Sequence, residues 1–94
     1  MILFEWDEKK NETNIKKHGI SFEEATSVFQ DEESLIISDE NHSHEEDRFI
    51  LIGFSFKANL LVVCHCYREK DSIIRIISAR KADRNERRQY LENL

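Results

Sequence analysis

Two hydrophobic periods divide this chain. Over residues 22–29 the apolar positions Phe22, Ala25, Val28 and Phe29 recur at three- and four-residue steps, the spacing of a helix with one buried face. From residue 34 onward the apolar residues run together and are β-branched or aromatic: SLIIS at 34–38, RFILIGFSF at 48–56, LLVVCHCY at 60–67 and SIIRIIS at 72–78. Such runs read as strands. The breaks Lys57-Ala58-Asn59 and Glu69-Lys70-Asp71 are short enough for hairpins, so these strands are expected to be antiparallel neighbours. ILFEW at 2–6 reads as a further short strand, at an edge.

Capping residues mark the helices. Asp7 precedes a polar stretch that runs to about His18, and Gly19 supplies a left-handed stop. Ser21 and Glu24 fit a capping box opening a second helix to about Phe29; Asp83 and Glu86 fit another opening a third helix to about Glu92. The predicted order is β-α-α-β-β-β-β-α, an α+β domain with the helices on one side of a mainly antiparallel sheet. Ninety-four residues make one domain, 1–94, and no linker or repeat divides them.

Charge refines this picture. The formal net charge is −5, which argues against a general nucleic-acid binder. Its distribution is uneven: residues 1–56 carry −9 and residues 57–94 carry +4, so the second half offers a basic side that can meet phosphate. No run of 18 apolar residues spans a membrane, and the first residues turn charged too early for a signal peptide. Cys64 and Cys66 stand two apart in an apolar run, poorly placed to bond each other; reduced packing cysteines fit the cytoplasm.

The candidate chemistry gathers in the basic half. Arg75 interrupts the greasy run IIRII, and Arg80 and Lys81 are expected in the joint between the last strand and the last helix. The amide groups at that helix start favour an anion. Cleavage of RNA needs a base for the 2′-hydroxyl, cations for the phosphorane charge and an acid for the leaving oxygen. Arg68, Arg75 and Arg80 supply cations whose planar forks can grip two phosphate oxygens. Glu69 or His65 supplies the base, against the bland readings of a wet-turn ion pair and a half-buried strand histidine. Arg84, Arg87 and Arg88 on the last helix extend the track for RNA, with ordinary surface pairing the alternative. His42 and His44, followed by Glu45, Glu46 and Asp47, have the look of a metal cluster, but no second ligand group stands out and the expectation is no metal and no cofactor.

Three segments together resemble one known family. FEWDEKKNETNIKKHGISFEEATSVF at 4–29, EEDRFILIGFS at 45–55 and IRIISARKADRNERRQY at 74–90 are similar to the BrnT family of bacterial type II toxins, over more than half of the chain. The resemblance implies a RelE-like fold and an RNA-cleaving toxin that halts translation without a metal. It also implies a BrnA antitoxin, a small ribbon-helix-helix protein, and a toxin–antitoxin complex that represses its own promoter with the antitoxin on DNA. By motif, the implied active residues are Arg68, Glu69, Arg75 and Arg80. Two departures stand out: Asp83 at a cap where the family pattern has threonine, and an acidic balance where RNA-cleaving relatives are often basic. The rival readings are an antitoxin-binding module without chemistry and a toxin that poisons another enzyme.

Overall fold

A computed structural model describes residues 2–38 and 47–94. The elements are β1 (Leu3–Glu5), α1 (Glu8–His18), α2 (Phe22–Ser27), a 3₁₀ turn (Val28–Gln30), β2 (Leu35–Ser38), β3 (Phe49–Phe54), β4 (Leu60–Arg68), β5 (Ile73–Lys81) and α3 (Arg84–Glu92). One five-stranded sheet has the order β1-β5-β4-β3-β2. Strands β2 to β5 form an antiparallel meander, and β1 joins the edge in parallel with β5.

The expected caps set the helix starts. Asp7 accepts hydrogen bonds from the Lys9 and Lys10 amides, and Gly19 ends α1 at φ 73°. Asp83 and Glu86 form a complete capping box on α3. The box at α2 is only half present. Ser21 Oγ accepts from the Glu24 amide, but the Glu24 carboxylate is buried and takes hydrogen bonds from Ser55 Oγ (2.6 Å) and Asn59 Nδ2 (2.8 Å) instead. Those two donors lie at the turn between β3 and β4, so the carboxylate clamps α2 to that hairpin.

Both faces of the sheet are covered, which corrects the expectation of helices on one side. Ile20, Phe22, Ala25 and Val28 pack on Leu51, Leu61, Val63, Ile74 and Ile76. Across the sheet, Tyr90 of α3 packs on Ile52, Leu60 and Val62. The runs in β3 and β4 are unbroken because neighbouring residues feed these two cores in turn. Each large side chain so buried contributes roughly 1.5–3 kcal/mol. The α3 core is the smaller one, and beyond it the same face opens into a cavity at Ile77 and Ser78.

Candidate active site

Arg75 and Arg80 are five residues apart, and in a regular strand they would point to opposite faces. The register shows otherwise. Arg80 pairs with Val62, Ser78 with Cys64 and Arg75 with Cys66, while His65 pairs with Ile76, so Ile77 is an extra residue in β5. Val62, Cys64 and Cys66 share one face of β4, and their partners share it with them. The bulge therefore sets Arg75, Ser78 and Arg80 on the α3 face. Strand β5 also runs through Lys81, so Arg80 and Lys81 belong to the strand itself, which corrects the expectation that they lie in the joint beyond it.

Arg48 completes this face. Continuing the register Phe49–His65 by one residue sets Arg48 beside Cys66, in one row across the sheet with Arg75. One strand, β4, lies between Arg48 and Arg75, so two strand spacings, about 10 Å, separate them, and four residues along β4 separate Arg75 from Arg80, about 13 Å. Between them is a cavity of about 260 Å³ lined by Arg48, Ile50, Val62, Cys64, Ile77, Ser78 and Arg80. Cys64 and Cys66 form no disulfide.

The three arginines differ in their partners. Arg80 makes a two-pronged pair with Glu86, Nη1 to Oε1 and Nη2 to Oε2, both at 2.8 Å. Those hydrogen bonds hold the Glu86 carboxyl below the usual carboxylate range and push the Arg80 guanidinium higher still. Arg75 Nη1 donates to Glu5 at 2.8 Å, and Arg68 Nε lies 3.5 Å from the same Glu5 oxygen. Arg48, by contrast, has a buried Nε with no hydrogen-bond partner among the described residues. A buried guanidinium nitrogen left so is costly, and it lines the cavity that Arg80 also lines.

The other candidates lie elsewhere. His65 is fully buried on the opposite face, against Phe29 (ring centroids 4.8 Å), Phe49 and Tyr67. Burial lowers its pKa, and its nitrogens meet Val63 O and the Tyr67 hydroxyl, both at 3.3 Å. The sheet stands between it and the arginines, and its full burial among aromatic rings favours the core reading of His65 over that of a base. Lys81 pairs with Leu61 and so faces the α1–α2 side, away from Arg80. Glu69 lies in the exposed turn after Arg68, at φ 50°. Arg84, Arg87 and Arg88 are exposed on α3, and Arg88 bonds Asn85. At the start of α3 the carboxylates of Asp83 and Glu86 already take the position an anion was expected to fill.

Among the described residues, no group of three or more histidine, cysteine or acidic side chains is arranged to hold a metal. The stretch His42 to Glu46 lies outside the described residues. No helix is long and apolar enough to cross a membrane. The arrangement can thus do one thing well: present guanidinium groups and the Ser78 hydroxyl around an open cavity, ready for an anion with several oxygens. Arg48 was missed in the sequence because it stands at the border of an acidic stretch. Its signal was parity, since it alternates with Ile50 and Ile52, which line the α3 face.

Comparison with known proteins agrees with the fold and goes further. The family model described as "Ribonuclease toxin, BrnT, of type II toxin-antitoxin system" matches residues 6–86. The crystal structure of the Brucella abortus ribonuclease toxin BrnT superposes with a TM-score of 0.67 at 23% sequence identity, covering 89% of this chain and all of that one. At that identity the likeness speaks for the fold. Among curated proteins, none matches.

Proposed function

The chain belongs to the BrnT family of ribonuclease toxins of type II toxin–antitoxin systems, and from that membership we propose that the arginine-framed cavity beside α3 is its site of RNA cleavage. Membership implies an RNA substrate and an antitoxin partner. The observation that carries the site is the bulge at Ile77, because it turns Arg75 and Arg80 to one face together with Arg48.

In this reading the protein is a cytoplasmic endoribonuclease that halts translation. The 2′-hydroxyl attacks the neighbouring phosphorus, the bond to the 5′-oxygen breaks, and a 2′,3′-cyclic phosphate and a 5′-hydroxyl result. Arg48 and Arg80 neutralise the charge that gathers on the phosphorane oxygens, with Arg75 and Arg68 behind them; guanidinium groups take the part that a divalent ion plays in other nucleases. Water takes the 2′-hydroxyl proton, because Glu5 is held by Arg75, Glu86 by Arg80, and Glu69 stands beyond the far end of β4 from the cavity. Water returns a proton to the leaving oxygen. A BrnA-type ribbon-helix-helix antitoxin neutralises the toxin, and the complex represses its own operon through the antitoxin's contact with DNA.

The test is induction without antitoxin of wild type, Arg48→Ala and Arg80→Ala, with growth and the 5′ ends of cellular RNA followed together. Wild type is expected to arrest growth and cut RNA. Arg48→Ala should keep its melting temperature and lose about 10²-fold in cleavage, as expected for removal of one transition-state donor. Arg80→Ala should lose cleavage and some stability, since Glu86 loses its partner. Growth arrest with intact RNA would transfer the protein to the enzyme poisons, and no arrest at all to the non-catalytic antitoxin-binding modules.

A further inference from the structure

The bulge opens onto a second cavity. Ile77 and Ser78 line the cavity of Arg48 and Arg80, and they also line another of about 300 Å³ on the far side of β5. The walls of this second cavity come from α1: Lys9, Lys10, Thr13, Asn14, Lys17 and His18. The edge of β5 explains why the two meet there. Strand β1 covers β5 only as far as Arg75. At Ala79 the side chain of Asn14 takes the place of a strand, accepting from the Ala79 amide (3.2 Å) and donating to its carbonyl (2.7 Å). Between these two anchors the bulged residues face neither, and Ser78 is exposed.

We infer that a single-stranded RNA passes over this gap in the edge of β5, its backbone held on one side by the arginines and on the other by Lys9, Lys10 and Lys17 of α1. The inference rests on the ribonuclease reading above and adds the path of the substrate. Helix stability does not account for these lysines. Lys17 and His18 suit the negative end of the helix, but Lys9 and Lys10 stand in its first turn, where a cation is disfavoured. Among the described residues no carboxylate is ion-paired with any of the three. The α3 arginines Arg84, Arg87 and Arg88, by comparison, line neither cavity. An acidic segment of the antitoxin would also suit lysines. RNA is favoured because Ile77 and Ser78 line both the lysine cavity and the one proposed for cleavage, so that one phosphodiester chain crossing the strand edge there would meet both.

The probe is a fluorescein-labelled RNA 12-mer of mixed sequence with 2′-O-methyl groups, which cannot be cleaved. Its affinity is measured over a salt series for wild type, for Lys9→Ala/Lys10→Ala/Lys17→Ala and for Arg84→Ala/Arg87→Ala/Arg88→Ala, each checked by thermal melting. The α1 triple is expected to bind at least tenfold more weakly, and its log–log salt slope to be shallower by about 2, since each phosphate contact on a single strand contributes about 0.7. Wild-type affinity and slope in the α1 triple, or a greater loss in the α3 triple, would overturn the path while leaving the ribonuclease reading intact. Loss of antitoxin affinity with RNA binding unchanged would make the lysine face an antitoxin surface, and the path would again fall. If the wild-type protein binds no RNA and cuts none, the ribonuclease reading falls and takes the path with it.

Discussion

His65 shows how one side chain answers to its face of the sheet. Its ring is enclosed by Phe29, Phe49 and Tyr67, and burial holds its pKa below the ordinary value of 6.5. The folded protein therefore keeps it neutral while an unfolded chain protonates it. The stability it contributes is complete above pH 6.5 and is lost as pH falls below that value towards the lowered one. As pH falls from about 7.5 to about 5.5, the wild-type melting temperature is expected to fall relative to that of His65→Phe. Parallel curves would show that the ring does not titrate in this window. RNA cleavage, normalised to folded protein, should survive the substitution, because the sheet separates His65 from the arginines.

Among the described elements, the hairpin between β4 and β5 carries more left-handed residues than the β3–β4 hairpin, which has Ala58 at φ 62°. Glu69, Lys70 and Asp71 all have positive φ, at 50°, 55° and 70°. The left-handed conformation costs an L-residue roughly 1–2 kcal/mol, and glycine recovers only part of it because its unfolded chain is freer. Lys70→Gly is expected to stabilise by roughly 0.5–1 kcal/mol, seen as a melting temperature a few degrees higher. A lower melting temperature would mean that the lysine stem contributes packing that outweighs the strain. Gly53 has the opposite role in β3. A Cβ there would stand 3.0 Å from Asp31 Oδ2 and Val28 Cγ1, so the bare backbone lets the 3₁₀ turn pack tightly on the strand. That contact positions Asp31, whose carboxylate accepts from the Phe54 amide (2.8 Å) and the Tyr90 hydroxyl (2.7 Å).

Two carboxylates tie α3 to the rest of the molecule. Asp31 holds Tyr90, and Glu86 holds Arg80 of β5. Burial works to raise the Asp31 pKa, but the bonds from Phe54, Tyr90 and Glu33 outweigh it and leave it lowered; Glu86 is lowered chiefly by Arg80. Both groups thus add stability above their unfolded values of 3.8 and 4.5, and that stability is lost as pH falls through the lowered values. The urea midpoint of wild type is expected to fall between about pH 5 and 3. Asp31→Asn/Glu86→Gln should be less stable at neutral pH and show a flatter acid limb. A double variant with the wild-type slope would place the acid sensitivity in other groups. Because Glu86 of α3 holds Arg80, which lines the cavity proposed for cleavage, acid release of α3 should also weaken RNA binding before the sheet unfolds.

Much of this protein was legible before any tertiary structure. The changes of period marked the elements, and Asp7, Gly19 and Asp83 marked helix boundaries through local hydrogen bonds and backbone freedom. Such signals act within four residues, so a linear reading contains them. The motifs at 4–29, 45–55 and 74–90 likewise pointed to the family, and residues 6–86 match it. What remained hidden depends on pairing between distant segments. IIRIISAR places apolar residues on both faces, so its alternation cannot reveal the extra residue at Ile77 that gathers the arginines. Glu24 follows a capping pattern, yet its carboxylate serves Ser55 and Asn59. Glu5 and Arg75, seventy residues apart, meet only because β1 lies along β5. His65 and Arg48 look alike as polar residues at strand positions, but the register sends one into a sealed core and the other into an open cavity. Local physics chose the elements; burial and register, which only the folded chain defines, chose the site.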